Sequence, residues 1–132
     1  MNDNKKRILI VDDEEDLTWS ISKRIAKDRN ILEVICANSG NRALKMLSKF
    51  KVDLIITDLR MPGIHGLQLL NEIKIRYPHI QIIVMTAHGS VEVREAIRRW
   101  GQTGYIEKPF EMNDLRELIY SFLDNGRQIV PI

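Results

Sequence analysis

The chain has 132 residues, 44% of them hydrophobic, which fits one folded domain with a single core and excludes a disordered chain. Its 20 Lys and Arg against 18 Asp and Glu leave a formal charge of +2, too little to predict a nucleic-acid field or a membrane-seeking surface. The one cysteine, Cys36, lies in an apolar stretch, cannot form an internal disulfide and is expected to be a small buried hydrophobe in a reducing compartment. The polar N-terminus MNDNKKR has no long apolar segment behind it, so neither a signal peptide nor a membrane span is expected, and the location is read as cytoplasmic.

The predicted elements alternate. "RILIV" (7–11) reads as a strand, followed by a helix whose stripe is Leu17, Ile21 and Ile25. "LEVICA" (32–37) is the second strand, and Asn38-Ser39-Gly40 opens a helix with the stripe Ala43, Leu44, Leu47 and Phe50. "DLIIT" (53–57) is the third strand, and Leu67, Leu70 and Ile73 mark a helix that Pro78 follows. "QIIVMT" (81–86) is the fourth, and Val93, Ala96, Ile97 and Trp100 trace a helix ended by Gly101. "YIEK" (105–108) is the fifth, before a helix with Met112, Leu115, Ile119 and Phe122. The tail "DNGRQIVPI" (124–132) has turn formers and no helical stripe, and reads as a tail or the start of a linker after a domain spanning 1–123.

Strands alternating with helices imply a parallel five-stranded sheet covered on both faces, doubly wound, in the common order 2-1-3-4-5. All carboxyl ends then share one rim. Asp12 and Asp13 end the first strand, Asp58 the third, Thr86 the fourth and Lys108 the fifth. In that order strands one and three are neighbours, about 4.8 Å apart, so Asp12, Asp13 and Asp58 crowd one crevice. Close carboxylates repel, and an all-oxygen site of this kind favours Mg2+ or Mn2+. Thr86 and Lys108 offer a hydroxyl and a positive charge to an incoming anion. Together these are the parts of phosphoryl transfer to a carboxylate. Taken singly, each has an ordinary reading: Asp13, Glu14 and Glu15 favour the positive end of a helix, Asp58 suits a turn, and Lys108 suits solvent.

The motifs "ILIVDDEEDL", "DLIITDLRMPGIHGLQLL", "IIVMTAHGS" and "YIEKPF", in this order and spacing over residues 7 to about 123, resemble the bacterial response-regulator receiver domain. The resemblance implies a flavodoxin-like, CheY-like fold and a phosphoacceptor at Asp58. It also implies Mg2+ held by Asp12, Asp13, Asp58 and the backbone carbonyl of Arg60. Thr86 and Lys108 would bind phosphoryl oxygens, Tyr105 would be the aromatic that moves on activation, and the Lys108–Pro109 bond would be cis. The implied partner is a sensor histidine kinase or phosphotransfer protein. The chain would be no enzyme beyond assisting its own phosphorylation and dephosphorylation. "TAHGSVEV" with "YIEKPF" is most similar to receivers of nitrogen-regulation-type, sigma-54-dependent activators. DNA would be reached only through an output domain outside this chain.

Two residues depart from the family pattern: Gln102 follows Gly101 where a small residue is usual, and Trp19 lies off the first helix's stripe, where it is expected to be partly buried. His88 and Arg60 flank the expected path of a hydrolytic water and are candidates for tuning dephosphorylation, whereas His65 and His79 read as loop residues. Arg94, Arg98 and Arg99 form a basic edge beside the face of the fourth helix, fifth strand and fifth helix, where a partner or a homodimer would form. Other readings are a single-domain phosphorelay intermediate, a non-phosphorylated pseudo-receiver, an aspartate-nucleophile phosphatase and a flavin module. The phosphatase needs a second acid two residues after the nucleophile, where this chain has Arg60; the carboxylates of "DDEED" would repel a flavin phosphate.

Overall fold

The structure is a computed structural model and describes residues 5–25, 27, 32–59, 66–86, 95, 98–99 and 103–124. The elements are β1 (Lys6–Val11), α1 (Glu15–Ile25), β2 (Leu32–Ala37), α2 (Gly40–Leu47), β3 (Leu54–Asp58), α3 (Gly66–Arg76), β4 (Gln81–Thr86), β5 (Thr103–Glu107) and α4 (Met112–Leu123). Every strand pair is parallel, in the order β2-β1-β3-β4-β5. This is the doubly wound sheet expected from the alternation. The helix over 93–100 lies outside the described residues except for Glu95, Arg98 and Arg99, as do Gly101, Gln102, His65 and residues 125–132.

The central strands carry apolar runs, Ile8–Val11, Leu54–Ile56 and Ile82–Met85, because each of their faces meets helices. Along β1, Leu9 and Val11 join Ala43 and Leu47 of α2 and Leu70 and Ile73 of α3 in one cluster. Ile8 and Ile10 join Ile21 and Ile25 of α1 and Leu115 and Ile119 of α4 in the other. The same alternation runs through β3 and β4, so a one-residue slip in register would exchange the two cores. Ser39 caps α2 as expected, its hydroxyl accepting the Arg42 N–H at 3.1 Å.

Four local expectations need correction. Cys36 is exposed, because β2 is an edge strand; its Sγ lies 3.0 Å from the Ser22 hydroxyl on α1. Trp19 is 63% exposed: α1 buries Thr18, Ile21 and Ile25, and the indole points away from that stripe with the Lys23 ammonium over its ring. Phe50 is not on the α2 stripe, since α2 ends at Leu47; the ring is exposed beneath the Arg7 guanidinium. Finally, β5 starts at Thr103 and ends at Glu107, which leaves Lys108 one residue beyond the strand.

Gly104 in β5 lies under α4. A Cβ there would stand 2.7 Å from Phe122 Cζ and 3.1 Å from Ile83 Cγ1, so the Phe122 ring would have to shift and Ile83 give by a few tenths of an ångström. Gly104→Ala should cost about 1 kcal/mol, the overpacking against Phe122 and Ile83 being partly offset by the entropy that Ala saves in a strand. Denaturant unfolding of the two proteins measures this, and an unchanged midpoint would show that the Phe122 ring swings aside freely.

Candidate functional site

Register builds the site. Val11 of β1 pairs with Thr57 of β3, so the next residues, Asp12 and Asp58, stand side by side at the carboxyl rim. The strand ends deliver both into the interior: Asp12 is 0% and Asp58 6% exposed. Thr86 ends β4 beside them and is also buried. Its carbonyl accepts the Lys108 N–H at 2.8 Å, which ties the residue after β5 back to the rim. The Lys108–Pro109 bond is cis, as expected.

From there the Lys108 ammonium reaches across the rim. Its Nζ donates to Asp12 Oδ2 at 2.8 Å, Glu14 Oε1 at 2.8 Å and Asp58 Oδ2 at 2.9 Å. Asp12 Oδ1 accepts the Glu14 N–H at 2.8 Å, curling the loop before α1 so that Glu14 turns back to the rim. Carboxylate oxygens of Asp12, Glu14 and Asp58 all lie within 4.8 Å of one another. Three carboxylates against one ammonium leave excess negative charge, and an all-oxygen set of this kind fits a hard divalent cation such as Mg2+.

The protonation equilibria follow from burial and pairing. Burial pushes the Asp12 carboxyl above its ordinary value, and the hydrogen bond from Lys108 offsets this only in part. Burial also opposes the Lys108 ammonium, but its bonds to Asp12, Glu14 and Asp58 outweigh that and raise its pKa. Because the folded pKa of Asp12 is raised, its contribution to stability is present at acid pH and lost as pH climbs through the folded value. Relative to wild type, the stability of Asp12→Ala should therefore rise as pH climbs from acid toward neutral. At neutral pH without metal it should be level with wild type or above it. Calorimetry across that range decides the matter, and a difference moving the other way would make Asp12 a structural cap.

Residues 8–120 match the family described as the response regulator receiver domain. The chain belongs to that family. The receiver is 31% identical over 112 residues to the DNA-binding transcriptional regulator NtrC of Salmonella typhimurium, covering 85% of this chain and 24% of that protein. It thus spans about a quarter of the length of that relative, and the likeness bears out the resemblance to nitrogen-regulation-type receivers. Among solved structures, a CheY-like receiver domain from Methanospirillum hungatei superposes with a TM-score of 0.85 at 30% identity, over 94% of this chain and 98% of that one. The response regulator TrrA of Thermotoga maritima, solved in complex with Mg(2+)-BeF, gives 0.77 at 32% identity over 89% and 98%.

Of the expected site residues, the receiver brings Asp12, Asp58 and Lys108 into contact and sets Thr86 at the adjoining strand end. Asp13 is exposed on the loop, and it is Glu14 that completes the cluster of three carboxylates. Tyr105 is half-buried against the α2–α3 core, its hydroxyl without a hydrogen-bond partner among the described residues. Arg60, His88 and Arg94 lie outside the described residues, whereas Arg98 and Arg99 are exposed. Glu14 was missed because a run of acids before a helix reads as helix-end electrostatics. The signal that marks it is its place two residues after Asp12, where an Asp side chain bonds the backbone and reverses the loop.

Proposed function

We propose that this receiver accepts a phosphoryl group on Asp58, in a Mg2+-dependent reaction, from a sensor histidine kinase or phosphotransfer protein. The observation that carries the reading is the buried Asp12–Lys108–Asp58 cluster at the rim of a receiver fold. The TrrA relative in complex with Mg(2+)-BeF supports the same chemistry. An Asp58 oxygen attacks the phosphorus of a phosphohistidine, the O–P bond forms, the P–N bond breaks, and the imidazole leaves with the electron pair and takes up a proton. Asp12, Asp13, Asp58 and the Arg60 carbonyl would hold the ion, with Glu14 close by; Mn2+ fits the same donors. Bound there, the ion neutralises charge developing on the phosphoryl oxygens. Lys108 and the Thr86 hydroxyl bind those oxygens once the group is transferred.

Drawing Thr86 toward the phosphoryl group opens space that Tyr105 fills. This biases the face formed by β5, α4 and the segment with Arg94, Arg98 and Arg99 toward a partner or a second copy. His88 and Arg60 tune how long the group lasts. Residues 1–123 form the receiver and 124–132 a tail or the start of a linker, with transcription control as the downstream effect by analogy with the NtrC relative. No described helix is long and apolar enough to cross a membrane, and a cytoplasmic location fits.

Incubation with acetyl phosphate and Mg2+, read by intact mass, should add one phosphoryl group. No gain, or an equal gain in EDTA, would contradict the proposal.

A further inference from the structure

A lysine ammonium has three N–H donors. In the resting receiver Lys108 gives them to Asp12, Glu14 and Asp58, at 2.8, 2.8 and 2.9 Å. A phosphoryl group on Asp58 brings further acceptor oxygens to the same ammonium. For Lys108 to bond one of them, a present contact has to open. The partners are unequal: the side chains of Asp12 and Asp58 are 0% and 8% exposed, that of Glu14 63%. Asp12, wholly buried, would keep its desolvation penalty if it lost Lys108, and the Asp58 carboxylate becomes the acyl phosphate whose oxygens Lys108 follows, whereas water solvates Glu14 at once.

We infer that Glu14 is a positioning residue: it holds Lys108 Nζ in the resting arrangement and competes with the phosphoryl group for it. This rests on Asp58 being the acceptor. The backbone at Glu14 is secured independently of its side chain. Its N–H is bonded to Asp12 Oδ1, and its carbonyl accepts the Leu17 and Thr18 N–H groups at 3.1 Å, beginning α1. The carboxylate can therefore let go of Lys108 without moving the loop or the helix. Glu15 and Asp16, next in sequence, carry the same charge in the first turn of α1 but are not among the Lys108 partners.

The test is beryllofluoride titration at saturating Mg2+ on wild type, Glu14→Gln, Glu14→Asp and Glu15→Gln, together with Mg2+ titration of each protein alone. Glu14→Gln should tighten beryllofluoride binding about two- to fivefold, the scale of one exposed ion pair. Glu14→Asp keeps the charge but loses a methylene of reach, and should tighten binding by a similar factor. Glu15→Gln, with the same charge change and no contact, should match wild type. Mg2+ affinity should be similar in Glu14→Gln and Glu15→Gln. Equal shifts in Glu14→Gln and Glu15→Gln, with Glu14→Asp like wild type, would overturn the inference in favour of a general charge effect. A tenfold loss of Mg2+ affinity confined to Glu14→Gln, with no gain for beryllofluoride, would overturn it by making Glu14 a metal ligand. Failure of wild type to bind beryllofluoride would overturn the acceptor reading of Asp58 and the Glu14 inference with it.

Discussion

Asp58→Asn should take up no phosphoryl group from acetyl phosphate and Mg2+, with a fall in rate on the order of 10³-fold or more, as expected for loss of a nucleophile. The amide lacks the anionic oxygen that forms the O–P bond. The fold should survive the change, because Lys108 keeps Asp12 and Glu14 and the interior loses one of several like charges. Thermal melting without metal separates the two effects: the melting temperature should be level or higher while phosphorylation disappears. Uptake at the wild-type rate in this variant would move the acceptor to another carboxylate.

Lys108→Met should destabilise the metal-free protein by about 2–4 kcal/mol at pH 7, because it leaves the buried Asp12 and Asp58 facing Glu14 with no ammonium between them. The loss has a definite pH course. The Lys108 pKa is raised above its ordinary 10.5, so its stabilising charge is fully present below that value and disappears only as pH rises through the higher folded one. The gap between variant and wild type should therefore hold through pH 9 and narrow above about pH 10.5. It should also narrow in acid as the carboxylates take up protons. Mg2+ should raise the melting temperature of the variant more than that of wild type, since a divalent cation replaces the missing positive charge. Melts in EDTA and in Mg2+ from pH 4 to 11 test each point. A variant as stable as wild type in EDTA would mean that the three carboxylates do not depend on Lys108.

The parts of this receiver that were legible in the sequence are those where one physical rule dominates. Strands β1, β3 and β4 showed as continuous apolar runs because helices cover both of their faces. Asp12 and Asp58 showed because strand ends of a parallel sheet share a rim, whatever the loops do. The rest depended on neighbours that sequence periodicity does not report. Cys36 sits in an apolar run, yet edge strand β2 leaves it open to solvent. Trp19 is large and apolar, yet it lies off the buried stripe of α1 and stays exposed, with Lys23 over its ring. Phe50 fell at helical spacing, but α2 stops three residues earlier. Glu14 joins the site through a loop reversal set by a single Asp12 hydrogen bond, which no periodicity encodes.

Whether Asp58 carries the phosphoryl group is decided by locating the modified residue chemically. Borohydride reduces an aspartyl phosphate to homoserine, so the receiver treated with acetyl phosphate and Mg2+, reduced and digested, should yield homoserine in place of Asp58. Homoserine at Asp12 or Asp13, or at no position in protein whose intact mass shows the added phosphoryl group, would contradict the account.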